Sequence, residues 1–178
     1  MTTKNALILH AWYNKPEDNW YPWLAKELTA KGYHTVLPNI PSFFTDAPSL
    51  PDAMRQIESL DVLRPSTIII GHSLSCLLAM RLAEKHQYAK MMLVAGWDFD
   101  DLTKEHASFW QNKINHGAIK KNVKDIYCIS SDNDPYMAAF QVEEMSKRLG
   151  GKFVLIKGAG HFLAKDGITN IPQLLAYL

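Results

Sequence analysis

The chain is short of several things, and each shortage removes a class of function. Only two cysteines, Cys76 and Cys128, occur in 178 residues. Such a pair makes neither a disulfide framework nor a thiolate metal site, and both are expected to be free, buried, small side chains. Nineteen basic against eighteen acidic residues leave a formal charge of +1, so no field draws nucleic acid or an anionic membrane toward the protein. The nearest thing to a basic run, Lys120-Lys121 with Lys124, reads as a solvated loop. No apolar stretch approaches the ~20 residues of a membrane span. Met1-Thr2-Thr3-Lys4 leads into a strand-like run with no signal pattern, which makes a cytoplasmic protein the expectation. No histidine pair has ligand spacing, so no metal is expected. Gly158-Ala159-Gly160 lacks the full dinucleotide pattern G-x-G-x-x-G, and no cofactor is expected.

What remains is 47% hydrophobic and 21% charged, the balance of an ordinary globular chain. Its length suits one domain spanning residues 1–178, with disorder expected nowhere beyond the first three residues.

The most informative stretch is Thr67 to Ala79, TIIIGHSLSCLLA. A β-branched run ends in Gly71-His72-Ser73-Leu74-Ser75 and an apolar helix pattern begins at once. That layout resembles the nucleophile elbow G-x-S-x-G, which holds a serine on a strained turn between strand and helix. Around it, Ala6–Leu9 is a continuous apolar run of the kind a strand covered on both faces shows, and further strands are expected at His34–Pro38, at the β-branched Ser66–Ile70, and at Met91–Ala95, Ile126–Ile129 and Phe153–Ile156. Trp20, Trp23, Leu24 and Leu28 predict a helix capped by Asp18 or Asn19 and stopped at Gly32. Ser49 with Asp52 starts a second, lined by Ala53, Met54, Ile57 and Leu60. The passage from Pro38 to Pro51 reads as a loop, with a short helix around Glu105–Ile114 further on. A helix opened by Asp134-Pro135 buries Met137, Phe140, Met145 and Leu149, and a last one carries Ile171, Leu174, Leu175 and Leu178. Alternating strands and helices predict a three-layer α/β sandwich with a mostly parallel sheet. Sites in such sheets form at the carboxyl ends of the strands.

Three residues fall at those ends: Ser73 after the third strand, Asp134 after the fifth and His161 after the sixth. A serine hydroxyl is a poor nucleophile until a neutral imidazole takes its proton, and the imidazole needs a carboxylate on its other nitrogen. Asp132 and Asp98 compete with Asp134 for the acid's part. The oxyanion of the tetrahedral intermediate needs two N–H donors. Leu74 N–H at the helix start is one, and Trp12 N–H is preferred over Ala11 N–H as the other. Trp97, Phe99, Phe109 and Trp110, with Trp12, are expected to form an apolar substrate pocket under a very small lid. His10 is expected to order its turn and His72 to pack beside the elbow. His34, His86, His106 and His116 read as surface residues.

Taken together, His10-Ala11-Trp12, Asn19-Trp20-Tyr21-Pro22-Trp23-Leu24, Gly71-His72-Ser73-Leu74-Ser75, Ser131-Asp132-Asn133-Asp134-Pro135 and Gly158-Ala159-Gly160-His161-Phe162 resemble the α/β-hydrolase superfamily. The resemblance is closest to its small cap-less serine hydrolases of the retinoblastoma-binding protein 9 family. It covers nearly the whole length and implies a minimal fold without a cap domain, with six strands in the order 2-1-3-4-5-6. It also implies a Ser73-His161-Asp134 triad. His10-Ala11 stands where His-Gly is usual, and Ser75 where the elbow's second glycine is usual.

The expected activity is acyl-enzyme hydrolysis of small carboxylic esters or related acyl substrates. The alternatives are a serine peptidase acting on short peptides and a non-catalytic interaction protein that keeps the fold. Against the last, the retinoblastoma-pocket signature L-x-C-x-E is absent, because Leu74-Ser75-Cys76 continues as Leu77-Leu78. No protein partner is specified by the sequence.

Overall fold

Six strands hydrogen-bond in the order β2-β1-β3-β4-β5-β6, and all five pairings are parallel. The structure is a computed structural model and describes residues 4–178; the disorder expected for the first three residues therefore lies outside the described part. In chain order the elements are β1 (Asn5–Leu9), α1 (Tyr21–Ala30), β2 (His34–Val36), α2 (Leu50–Glu58), β3 (Ile68–His72) and α3 (Leu74–Ala83). They continue with β4 (Tyr88–Val94), α4 (His116–Asn122), β5 (Val123–Ser131), α5 (Ala139–Leu149) and β6 (Lys152–Ile156).

Successive strand side chains point to opposite faces, so each buried strand feeds two cores. Leu7, Leu9, Ile69, Met91, Leu93 and Cys128 join the core beneath α2 to α5. Ala6, Ile8, Ile68, Ile70, Met92 and Ile129 join the core beneath α1 and the C-terminal segment. Helices on both faces make the three-layer α/β arrangement, and both cysteines are free and buried.

The chain leaves β1 for one neighbour, β2, and returns on its other side as β3. The crevice at this reversal, outside the carboxyl ends of β1 and β3, is where open α/β sheets place their sites. Pairing of Leu9 with Gly71 brings His10 and Ser73 to the same edge.

Several boundaries differ from those the sequence suggests, each for a physical reason. β3 starts and ends two residues later, so Gly71 and His72 belong to the strand. α1 begins at Tyr21 with no side-chain cap from Asp18 or Asn19, and Pro22 sits in its first turn. The proline-rich passage holds a 3-10 turn, Pro41–Phe44.

No helix spans Glu105–Ile114; only the 3-10 turn Ala107–Phe109 forms there. The helix of that region is α4, which carries Lys120 and Lys121, while Lys124 is in β5. With Ile119 as its one buried residue, α4 has no apolar stripe to announce it.

α5 starts at Ala139 rather than at Asp134-Pro135, because Asp134 Oδ1 accepts from Tyr136 N–H (2.9 Å) and Met137 N–H (3.2 Å) in a turn of its own. Phe140 then lies about 200° around the helix from Val142, and is 67% exposed instead of buried. The last helix is a 3-10 segment, Pro172–Tyr177, with Leu174 N–H bonded three residues back to Ile171. Among the described residues no helix is long and apolar enough to cross a membrane.

Candidate active site

β3 hands the chain to α3 through a single strained residue. Ser73 has φ +55° and ψ −122°, a backbone region that costs a non-glycine residue on the order of 1–3 kcal/mol and persists only where its surroundings enforce it. Here Ser73 N–H donates to Val94 O (2.8 Å) and Ser73 O accepts from Cys76 N–H (2.9 Å). Gly71 lets strand and helix close up, since a Cβ there would lie 2.6 Å from the Ser75 carbonyl oxygen. Ser75, standing where the elbow's second glycine is usual, is fully buried, and its Oγ donates to the His10 carbonyl (2.5 Å). Its side chain thus binds the elbow to the end of β1 instead of obstructing the approach.

The imidazole of His161 meets Ser73 from the turn after β6. Its Nε2 is 2.9 Å from Ser73 Oγ, and its Nδ1 is 3.0 and 2.8 Å from the two carboxylate oxygens of Asp134. An ionised carboxylate only accepts, so Nδ1 carries the proton and the Nε2 lone pair faces the serine hydroxyl. The Asp134 side chain is wholly buried. His161 N–H donates to Asp166 Oδ2 (2.9 Å), and the turn leading to it is tied to the loop after β5 by Gly160 N–H on Asn133 Oδ1 (2.8 Å). Asp132 is exposed and takes Gly158 N–H (2.7 Å). Asp98 is engaged elsewhere, buried under a two-point contact from Arg148 (2.7 and 2.6 Å) and His116 Nε2 (2.7 Å).

The loop after β1 supplies the facing wall. His10 Nε2 accepts from Ile40 N–H (2.9 Å), so Nδ1 carries the proton and donates to Ala11 O (2.9 Å). In a trans peptide the carbonyl and the next N–H point in opposite directions, so the bond that draws the Ala11 carbonyl toward His10 turns Trp12 N–H away from it. Ala11 N–H is occupied by Tyr21 Oη (3.1 Å). Leu74 N–H is the first of α3, where no intrahelical acceptor exists.

A cleft of about 590 Å³ opens at this point. Ser73, Leu74 and His161 border it, as do Trp12, Trp97 and Phe99. Phe109 is buried in the core against Phe43, and Trp110 borders a neighbouring cleft with Asp98 and Arg148, so neither faces Ser73. The cleft wall also holds residues outside the sequence expectation, His106, Tyr136 and Met137 among them. His106, expected at the surface, stands between the rings of Trp12 and Trp97 (5.1 and 5.4 Å) with Nδ1 on Asp101 Oδ2 (2.6 Å). Tyr136 lies edge-on to His161 at 4.8 Å, and Met137 is beside it. No motif or period marks them; only Tyr136-Met137 had a signal, directly after Asp134-Pro135.

The insertion that carries Trp97 to Trp110 is fastened down. Arg81 of α3 donates to Phe109 O (2.7 Å), Lys113 O (3.2 Å) and Asn112 O. Ser108 Oγ donates to Pro48 O (2.6 Å). Among the described residues no cluster of three or more histidine, cysteine or acidic side chains could hold a metal.

A family model described as serine hydrolase matches residues 6–178. The chain is 26% identical over 179 residues to YdeN of Bacillus subtilis (strain 168), with 96% of this chain and 92% of that protein covered. It is 29% identical over 153 residues to the serine hydrolase RBBP9 of Rattus norvegicus, with 80% and 77% covered. The crystal structure of the B. subtilis ydeN product superposes with a TM-score of 0.88 at 25% identity, over 98% of this chain and 96% of that one.

Proposed function

The chain belongs to the serine hydrolase family, and on that premise we propose that it hydrolyses small carboxylic esters through an acyl-enzyme on Ser73. The observation that carries this reading is the unbroken line from Asp134 through His161 to Ser73 Oγ, with the serine on a strained turn that borders a cleft. His161 Nε2 takes the hydroxyl proton as Oγ attacks the ester carbonyl, and Asp134 stabilises the imidazolium. Leu74 N–H and Trp12 N–H hold the oxyanion, each donor contributing on the order of 3 kcal/mol to the transition state. His161 then protonates the leaving alkoxide, and a water activated by the same imidazole releases the acid.

Ser73→Ala tests the reading. Wild type is expected to react covalently with a fluorophosphonate probe and the variant not at all, with ester turnover falling by about a million-fold. Equal labelling of both proteins would sink the proposal. Faster cleavage of aminoacyl amides than of p-nitrophenyl esters would replace esterase by peptidase.

The cleft also predicts an acyl length. Its insertion wall is held by Arg81 and Ser108, so a longer chain cannot be admitted by swinging the wall aside. In a graded series of p-nitrophenyl esters, kcat/KM is expected to peak between acetate and butyrate and to fall about tenfold or more by dodecanoate, since a single methylene that the pocket does not seat already costs roughly 1–3 kcal/mol. A rising trend to long chains would show that the wall opens.

A further inference from the structure

Tyr21 and His72 are fully buried between the two halves of the site, and the mechanism above uses neither. Tyr21 Oη accepts from Ala11 N–H (3.1 Å) and lies 2.6 Å from His72 Nδ1. His72 Nε2 lies 2.8 Å from the backbone carbonyl of His161. Tyr21 Oη also lies 3.4 Å from Asn14 Oδ1, but the shorter contacts fix the direction of the relay. A carbonyl accepts only, so Nε2 carries the imidazole proton. With that proton on Nε2, Nδ1 must accept, and Tyr21 O–H donates to it. The tyrosine oxygen is then left to accept from Ala11. Burial pushes the His72 pKa down to about 3, which keeps the ring neutral. The rings of Trp20 and Tyr21 enclose it.

We propose that Tyr21 and His72 are positioning residues, a one-way hydrogen-bond relay that fixes the His10–Ala11 peptide and the backbone of His161 relative to each other across the elbow. One end of the relay holds the His10–Ala11 peptide, whose N–H goes to Tyr21 and whose carbonyl accepts from Ser75 Oγ, one residue before Trp12 N–H. The other holds the carbonyl of the residue whose N–H is fixed by Asp166 (2.9 Å), so His161 is clamped on both sides of its Cα. Occupying Ala11 N–H leaves Trp12 N–H as the donor that this loop offers the oxyanion. The inference rests on the hydrolase reading, because it concerns the distance between that reading's base and its oxyanion donors. A relay of neutral groups suits the task, since a charge on His72, whose ring is 5.4 Å from that of His161, would oppose the imidazolium that forms there.

The test separates the two ends of the relay. Tyr21→Phe removes the central hydroxyl. His72→Asn keeps an acceptor near Nδ1 but cannot reach the His161 carbonyl, whereas His72→Gln places an amide N–H where Nε2–H stood. The readouts are kcat and KM for p-nitrophenyl acetate and the rate of fluorophosphonate labelling, with folding checked by circular dichroism. Y21F and H72N are expected to lose about 10- to 100-fold in kcat and in labelling rate with KM within about threefold, as small misplacements of reacting groups do. H72Q is expected to recover most of the kcat that H72N loses. Two outcomes overturn the relay: folded Y21F and H72N with kcat within about threefold of wild type, or H72Q losing as much as H72N. Should H72N not fold, Y21F against H72Q decides by the same criteria. A wild type that neither takes the probe nor cleaves esters overturns the hydrolase reading and the relay with it, whereas an active wild type with indifferent variants overturns the relay alone.

Discussion

Asp134→Asn is expected to lower kcat/KM for p-nitrophenyl acetate by about 10⁴-fold while leaving the fold intact. The size follows from which carboxylate oxygen does what. Oδ1 accepts the backbone N–H groups of Tyr136 and Met137 and so must remain an oxygen in the amide. The new NH₂ then takes the place of Oδ2, 2.8 Å from His161 Nδ1. Nδ1 then meets a donor at the shorter contact and, at 3.0 Å, an Oδ1 already taken by two backbone N–H groups, so the imidazole proton moves to Nε2, where it confronts the Ser73 hydroxyl and no proton can be taken. Geometry is kept and the tautomer is wrong. Asp132→Asn, at an exposed position that holds Gly158 N–H, is expected to stay within about twofold of wild type. Steady-state kinetics on the two variants decide between the acids, and an equal loss in both would remove Asp134 from its role.

The strand that delivers Ser73 is legible because a strand covered on both faces needs no periodicity to be recognised, only an unbroken apolar run such as Ile68 to Ile70. By contrast β6, which delivers His161, is a half-exposed edge strand marked only by the short run Phe153–Ile156. Ser73, Asp134 and His161 follow from those ends by chain order. The residues that shape the cleft did not follow, and the reason lies in what fixes them. The segment carrying His106 is held by bonds from Arg81 and Ser108 to backbone carbonyls 28 to 60 residues away, and no local pattern encodes such bonds. Phe109 and Trp110 stand next to each other in sequence, yet one is core and the other borders a second cleft. Phe140 is inside α5 yet exposed, because at 100° per residue it stands about 140° from Met145 and about 180° from Leu149, while Asp134 draws Tyr136 and Met137 into a turn of its own before the helix. The same requirement that aims the carboxylate at His161 thus displaces the helix that composition alone would begin there.

Gly71→Ala is expected to be the most destabilising conservative change in the elbow, and Ser75→Gly a milder one. At position 71 an added methyl would meet the Ser75 carbonyl oxygen at 2.6 Å, the Ser75 carbonyl carbon at 2.9 Å and Cys76 N at 3.0 Å. All three are backbone atoms, so relief requires moving α3 away from β3 rather than turning a side chain. Overpacking of this kind costs about 3 kcal/mol, which for a chain of this size lowers Tm by roughly 6–12 °C. Since Ser73 depends on the same contact for its φ of +55°, ester turnover should fall further than stability predicts, and thermal melts alongside kinetics will show it. Ser75→Gly restores the residue usual at that place yet removes the hydroxyl that satisfies the buried His10 carbonyl. A lost buried hydrogen bond of about 1 kcal/mol and a glycine penalty in the first turn of α3 of similar size are expected to add. The substitution that looks like a repair of the motif should therefore lower Tm by roughly 4–8 °C. An unchanged or higher Tm would mean that the bond from Ser75 to His10 contributes nothing to holding the elbow against β1.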